Sequence, residues 1–199
     1  RPLALGRQAP PRQRRQGLVG HILHVQRPDQ IDVLPRRRLA VVAGVFTYWA
    51  TVSDRSVPEA AAELLRLQLP DTAGKQQSLS QWRDKILIVN FWATWCEPCR
   101  KEVPALLRVQ AKYASNGVQV VGIFLDSVDK VQQFAIEYKI GYPLVMASMG
   151  VIDLTRRLGN KTGGLPYTVV LDRSGIAVKT HLGGISEAEL ESAIKLASG

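Results

Sequence analysis

From about residue 63 onward, the hydrophobic positions of this chain fall into short runs whose spacing alternates between that of strands and that of helices. Leucines alternate with polar residues across 65–69, which predicts a half-buried strand. The runs 85–93 and 118–126 are almost continuously apolar over the length of one strand, as is typical of strands buried on both faces. The folded part of the chain is therefore predicted to be built around buried strands.

Helical spacing and capping residues lie between these runs. Ser127 can cap one helix, and the Ser186-Glu187-Ala188-Glu189 capping box opens the last one. The predicted order is strand (65–69), strand (85–93), helix (97–113), strand (118–126), helix after Ser127, strand (142–146), helix (151–158), strands (167–172) and (176–182), and a final helix. Helices between buried strands imply parallel crossovers, and the tight turn near 174–175 implies an antiparallel hairpin. We expect an α/β fold with a mixed central sheet covered by helices on both faces.

The residues before this region have a different composition. Residues 1–38 are rich in Arg, Gln and Pro without a regular hydrophobic period, and we expect a disordered tail, with a non-native extension as the alternative. Residues 39–53 are uncharged, largely apolar and follow Arg36-Arg37-Arg38, a pattern typical of an export signal or an N-terminal membrane anchor. We expect a linker at 54–62 and one domain at 63–199. With the arginines kept inside, the domain is predicted to be periplasmic or otherwise extracytoplasmic, either released or anchored to the inner membrane.

The net charge of +9 does not indicate a nucleic-acid-binding protein. Nine Arg and two Asp lie in 1–38, which leaves 17 basic and 15 acidic residues for the rest of the chain. The excess charge therefore belongs to the tail, and the tail lacks aromatic residues that could stack on bases. Two cysteines also exclude a framework of several disulfides and a four-cysteine zinc site.

The most informative motif is Cys96-Glu97-Pro98-Cys99, where the buried run 85–93 gives way to a helix. Residues three apart in a first helical turn have Cα atoms about 5 to 6 Å apart, which a disulfide can bridge. Cys96 lies at the helix N-terminus, where free amide N–H groups favour a thiolate, so it is predicted to be the attacking sulfur. Cys99 would then resolve the mixed disulfide. The pair itself would carry the electrons, and no cofactor or metal is expected.

Three other interpretations of the cysteines stay open at this point. A structural disulfide would close a loop of four residues, which contributes only about 2 kcal/mol in the chain-entropy model against about 5 kcal/mol for a long loop. Half of a metal site could be completed by His21 and His24, which have H-x-x-H spacing. The third possibility is two inert buried thiols.

The segments NFWATWCEPCRKEVPAL (90–106) and GGLPYTVVLDRSG (163–175) resemble the extracytoplasmic thioredoxin-like reductases of the TlpA/ResA/CcmG group. The resemblance covers about 63–199 and includes the C-E-P-C form typical of the ResA-like branch. It implies a thioredoxin fold with a βα insertion at about 126–146. It also implies disulfide-containing protein substrates such as apocytochrome c, and a membrane thiol-electron transporter as the donor.

The same resemblance assigns roles to individual residues. Cys96 and Cys99 match the redox pair, and Glu102 matches the acid with which this branch exchanges protons with its thiols. Pro166 matches the family's cis-proline, so that the Leu165 backbone would pair with an extended substrate segment. Trp95 is expected to shield the Cys96 sulfur.

Two positions differ from the pattern of related families. Asn90 stands where cytoplasmic thioredoxins have an Asp, in keeping with the TlpA/ResA pattern. Tyr167 stands where Thr is usual after the proline, with Thr168 one place later, and this departure bears on the shape of the substrate groove. His181, on the last strand, is expected to face solvent.

The charge of the motif predicts the direction of electron flow. Glu97 is acidic and adjacent to Cys96, so it opposes thiolate formation and favours a reductant. We therefore expect a protein-disulfide reductase acting outside the cytoplasm, in cytochrome c maturation or a related pathway. The alternatives are a thiol peroxidase of the peroxiredoxin type, whose P-x-x-x-T-x-x-C context is missing here, and a non-catalytic thioredoxin-fold binding module.

Overall fold

A computed structural model of the chain describes residues 57–148 and 150–199. The predicted tail at 1–38, the predicted signal or anchor at 39–53, and the candidate ligands His21 and His24 lie outside the described residues. Within the part that is described, no helix is both long enough and apolar enough to cross a bilayer.

From the predicted strand at 85–93 onward, the secondary structure follows the predicted order. Residues 57–66 are helical and are called α1. The further strands and helices are β1 (Gln68–Pro70), β2 (Gln76–Ser78), β3 (Ile86–Trp92), α2 (Glu97–Tyr113), β4 (Val118–Phe124), α3 (Val128–Glu137), β5 (Leu144–Met146), α4 (Val151–Arg157), β6 (Tyr167–Leu171), β7 (Ala177–Leu182) and α5 (Glu187–Ala197). Two short 3-10 helices, Leu79–Trp82 and Ala114–Asn116, precede β3 and β4.

Five of the strands form one mixed sheet in the order β5-β4-β3-β6-β7. The pairs β3–β4 and β4–β5 are parallel, while β3–β6 and β6–β7 are antiparallel. The helices α2 and α3 return the chain to the same end of the sheet between the parallel strands, and the tight turn after β6 reverses it between β6 and β7. The predicted mixed sheet is confirmed. The helix α3 and strand β5 occupy the 126–146 region in which the resemblance places an insertion.

Alternate residues of the central strand β3 face two different cores. Ile86, Ile88 and Trp92 pack with α2, α3 and α5. Leu87, Val89 and Phe91 pack with α1 and α4 on the opposite face. Because both faces are covered, the whole of β3 is buried and reads as a continuous apolar run. The predicted helices on both faces are confirmed.

The N-terminal edge of the domain differs from the prediction. The alternating leucines of 65–69 do not form one strand, since residues up to 66 belong to α1 and only Gln68–Pro70 is extended. The buried residues Ala60, Ala61, Leu64 and Leu65 have helical spacing and pack on the sheet. Alternation over five residues fits either structure, and alanines at 60–62 favour the helix. The expected linker at 54–62 is therefore helical from residue 57.

Truncation of Leu64, which is fully buried, tests whether α1 belongs to the domain core. Leu64→Ala should lower the free energy of unfolding by about 2 to 5 kcal/mol, because it leaves a cavity under the helix. Arg66→Ala, at an exposed position of the same helix, should change it by less than about 0.5 kcal/mol. Urea unfolding measures both free energies. If Leu64→Ala lowered the free energy of unfolding no more than Arg66→Ala does, α1 would not belong to the domain core.

Candidate active site

The two cysteines lie at the start of α2, directly beyond the end of β3. Cys96 is the N-cap residue and Cys99 is in the first turn, with Pro98 between them at a position that proline favours. Their Cα atoms are 5.3 Å apart and their sulfurs are joined in a disulfide. The strand-to-helix boundary thus gives the spacing that the motif predicts, and the closed pair leaves no unpaired cysteine in the described residues.

The surroundings of the pair are unequal. Cys99 is 1% exposed and Cys96 is 6% exposed, while the neighbouring Trp95 is 69% exposed. No side chain caps the helix at Cys96, so the first-turn amide groups are free to stabilise negative charge on its sulfur. This arrangement favours Cys96 as the attacking sulfur and Cys99 as the inner one. The roles of Trp95 and of both cysteines stay predictions.

Glu102 is buried one turn beyond Cys99, at 3% exposure. Burial raises the pKa of this carboxyl group to about 7, against the opposing effect of two hydrogen bonds. The Ile185 amide N–H donates to Oε2 at 3.0 Å, and Asn90 Nδ2 donates to Oε1 at 2.7 Å. A carboxyl group that titrates near neutral pH can both take up and release a proton under ordinary conditions.

Asn90 connects Glu102 to the middle of the sheet. It lies on β3 opposite Thr168 of β6, and its Nδ2 also donates to Thr168 Oγ1 at 3.1 Å. All three side chains are buried. An Asp at position 90 could not donate these bonds in its ionised form. The sequence drew attention to Asn90 and Thr168 only through comparison with related families. Their pairing across β3 and β6 depends on the strand register, which the sequence does not reveal.

The Leu165–Pro166 peptide bond is cis, as the resemblance implies. Leu165 is partly buried and packs against the core cluster that contains Cys96 and Cys99. The loop before it is held by Asn160, which accepts from the Gly164 N–H at 3.2 Å and donates to the Gly164 carbonyl at 2.9 Å. The backbone at Leu165 is thus placed by a buried amide side chain that sequence reasoning did not find.

Tyr167 points away from the cysteines. It belongs to the β6 face that packs with α1 and α4, and its hydroxyl donates to the Leu158 carbonyl at 2.8 Å. Neighbouring residues of a strand face opposite sides, so Thr168 is the one that faces Glu102. The unusual residue after the proline therefore anchors the end of α4.

The charge on Glu97 is balanced by a neighbour. Its Oε1 lies 2.8 Å from Lys101 Nζ, and both side chains are largely exposed. The hydrogen bond from Lys101 lowers the pKa of Glu97. Solvent and this ion pair weaken the repulsion that Glu97 exerts on a Cys96 thiolate, so Glu97 by itself is a poor basis for the direction of electron flow.

The site needs no group other than its own cysteines to exchange disulfides, since the pair holds two electrons when it is open. Among the His, Cys, Asp and Glu residues at 57–148 and 150–199, no three are grouped as metal ligands would be.

Comparison with a protein family model and with curated proteins supports the same chemistry. Residues 60–180 match the model of the AhpC/TSA family. The thiol-disulfide oxidoreductase ResA of Halalkalibacterium halodurans is 29% identical over 160 residues, covering 79% of this chain and 88% of that protein. The thioredoxin-like protein YneN of Bacillus subtilis is 31% identical over 132 residues, covering 64% and 74%.

Solved structures confirm the thioredoxin fold. A thioredoxin-family thiol:disulfide interchange protein from Chlorobium tepidum is 32% identical, with a TM-score of 0.61, covering 67% of this chain and 93% of that one. A thioredoxin-related protein from Neisseria meningitidis is 34% identical, with a TM-score of 0.60, covering 66% and 98%.

The raised pKa of Glu102 predicts a pH-dependent effect of Glu102→Gln on stability. Between pH 4.5 and 7 the carboxyl ionises in the unfolded chain but stays protonated in the folded one, so this group destabilises the fold increasingly as pH rises through that window. From pH 4 to pH 8, the free energy of unfolding of Glu102→Gln should therefore rise by about 3 kcal/mol relative to that of the wild type. Urea unfolding of the oxidised proteins at both pH values measures the difference. A difference independent of pH would contradict the raised pKa.

Proposed function

The chain belongs to the AhpC/TSA family, it is a thiol-disulfide oxidoreductase, and from these two premises we propose that it reduces protein disulfides outside the cytoplasm. The observation that carries the proposal is the Cys96–Cys99 disulfide at a helix start with the buried Glu102 one turn further on. The ResA relatives support the chemistry, and the apolar run that follows Arg36-Arg37-Arg38 supports the location.

The reaction is a pair of thiol–disulfide exchanges. In the reduced enzyme, the Cys96 thiolate attacks one substrate sulfur; a Cys96–substrate disulfide forms, the substrate disulfide breaks, and the released substrate thiolate takes a proton. The Cys99 thiolate then attacks Cys96 Sγ, which closes the enzyme pair and releases the second substrate thiol. Two electrons and two protons pass to the substrate.

Glu102 exchanges the proton that Cys99 must lose before it attacks. Its place three residues beyond Cys99 puts both side chains on one helix face, and its pKa of about 7 lets it accept a proton near neutral pH. The hydrogen bonds from Asn90 and Ile185 hold the carboxylate in place while it does so. Leu165 and Pro166 present backbone to an extended substrate segment, and Trp95 offers an exposed aromatic surface beside the attacking sulfur.

The direction of the reaction follows from the buried acid. Once Glu102 ionises, a second negative charge on the nearby sulfurs is disfavoured, which raises the thiol pKa values and destabilises the reduced pair. A less stable dithiol is a stronger reductant. This effect acts inside the protein, where it is screened less than the exposed Glu97–Lys101 pair.

The substrate and the donor are proposed from the family resemblance of segments 90–106 and 163–175. The reductase would act in cytochrome c maturation or a related pathway, opening the disulfide of a C-x-x-C-H segment in an apocytochrome c so that haem can attach. A membrane thiol-electron transporter would return the Cys96–Cys99 pair to its reduced form.

Trapping tests the order of the two exchanges. Cys99→Ser should accumulate a mixed disulfide with substrate, because the second attack is lost, and mass spectrometry of the adduct identifies the partner. A synthetic C-x-x-C-H peptide closed by a disulfide is a direct probe. Cys96→Ser is the matched control and should form no adduct that dithiothreitol releases.

The same proteins separate the alternatives. If the wild type consumed peroxide in a coupled assay but failed to reduce insulin or the peptide, a peroxidase would replace the reductase. Partner binding that Cys96→Ser leaves intact, together with the absence of any disulfide turnover, would indicate a non-catalytic binding module.

The reduction potential tests the direction of electron flow. Equilibration of the Cys96–Cys99 pair with glutathione or dithiothreitol should give a value near the thioredoxin end of the range, about −270 mV. A value near −120 mV, typical of a strong oxidant, would contradict the assignment as a reductant.

A further inference from the structure

One peptide unit joins the buried acid to a histidine at the surface. The N–H between Gly184 and Ile185 donates to Glu102 Oε2 at 3.0 Å. The carbonyl oxygen of the same peptide lies 3.2 Å from His181 Nε2. A carbonyl oxygen only accepts hydrogen bonds, so Nε2 carries the proton and donates it. The hydrogen bonds therefore run from His181 through a single amide group to Glu102.

We propose that His181 is a positioning residue for Glu102, which it holds and polarises through the peptide between Gly184 and Ile185. An amide whose carbonyl accepts a hydrogen bond becomes a better donor at its N–H, because bonds in a chain polarise one another. The imidazole thus favours the ionised form of the carboxyl group. The role in proton exchange rests on the proposed function, whereas the effect on Glu102 does not.

His181 lies at the boundary between solvent and the buried network. The side chain is 24% exposed, so the expectation that it faces solvent is only partly met. Its other ring nitrogen, Nδ1, is 4.0 Å from Glu189 Oε1, which is too far for a hydrogen bond but close enough for an ion pair when the ring is protonated.

The segment around this peptide is fixed at both ends. The Gly183 N–H donates to the Pro166 carbonyl at 2.9 Å, which ties the segment to the cis-proline. On the other side, the Ser186 N–H and hydroxyl both donate to Glu189 Oε2, at 2.9 and 2.6 Å. These bonds restrain the flanking residues. The hydrogen bond from His181 therefore affects the direction and strength of the bond that the Ile185 N–H donates to Glu102.

Among the described residues, few charged groups lie near His181 or near Glu102. The hydrogen bonds from Ser186 lower the pKa of Glu189 of α5, and the charges of His181 and of Lys179 on β7 lower it further. Near Glu102, the buried Tyr142 has a pKa raised first by burial and then by Glu102 itself. In the oxidised protein the cysteines do not titrate. Glu102 can therefore be followed without interference from the thiols.

The test measures the Glu102 titration in the oxidised full-length chain, from the side-chain carboxyl carbon by NMR. His181→Leu should raise the proton-binding constant of Glu102 roughly two- to fourfold, because the amide loses its partner. His181→Gln, whose side-chain amide also donates, should restore most of the wild-type value. Lys179→Leu removes a cation from the same side of the same strand without touching Gly184, and should leave the titration unchanged.

Three results would overturn the proposal: an unchanged titration in His181→Leu, an equal shift in His181→Gln, or an equal shift in Lys179→Leu. Thermal unfolding checks that each variant is folded. If His181→Leu does not fold, the Glu102 titration is still measured in His181→Gln and Lys179→Leu. The pH profile of disulfide reduction should move with the Glu102 titration. If the protein reduced no disulfide at all, the proposed function would fail while the NMR result still decided the role of His181.

Discussion

The active site depends on keeping one carboxyl group, that of Glu102, away from water beneath a reactive disulfide. Burial of a charge is costly, and the structure offsets the cost with two donors that come from different parts of the chain, the Asn90 side chain and the Ile185 amide. Because the compensation is incomplete, the pKa stays near 7 instead of falling to that of an exposed Glu. A group balanced in this way can move protons, and a better compensated one could not.

This balance explains features of the fold that are remote from the cysteines. Asn90 lies on the central strand β3, which is buried throughout, and Thr168 opposite it accepts the second hydrogen bond of the Asn90 amide nitrogen. The segment 183–186 is tied to the cis-proline at one end and to the capping box of α5 at the other. The sheet, the loop and the last helix thus meet at Glu102, and small shifts in any of them alter the same proton equilibrium.

The arrangement also separates the two tasks of the site. In the proposed mechanism, substrate recognition uses the exposed Trp95 and the partly buried backbone at Leu165, which are placed by a helix start and by the loop that Asn160 holds. The proposed proton exchange uses the buried carboxyl group of Glu102. In that mechanism, the attacking sulfur of Cys96 and the resolving sulfur of Cys99 connect the two tasks.

Local sequence determined the strands β3 and β4, the helix that starts at Cys96, the capping box at Ser186 and the spacing of the redox pair, since each depends on residues within one or two turns. It misassigned 65–69, where leucine alternation fits a strand as well as the end of a helix, and it missed β2, whose three residues are all polar. The partners of Glu102 were beyond its reach. Ile185 lies 83 residues away and Thr168 lies 78 residues from Asn90, so only the register of the packed sheet brings them together. The surrounding atoms decide whether a carboxyl group is a solvated helix charge or a buried acid. Only the tertiary structure places those atoms around Glu102.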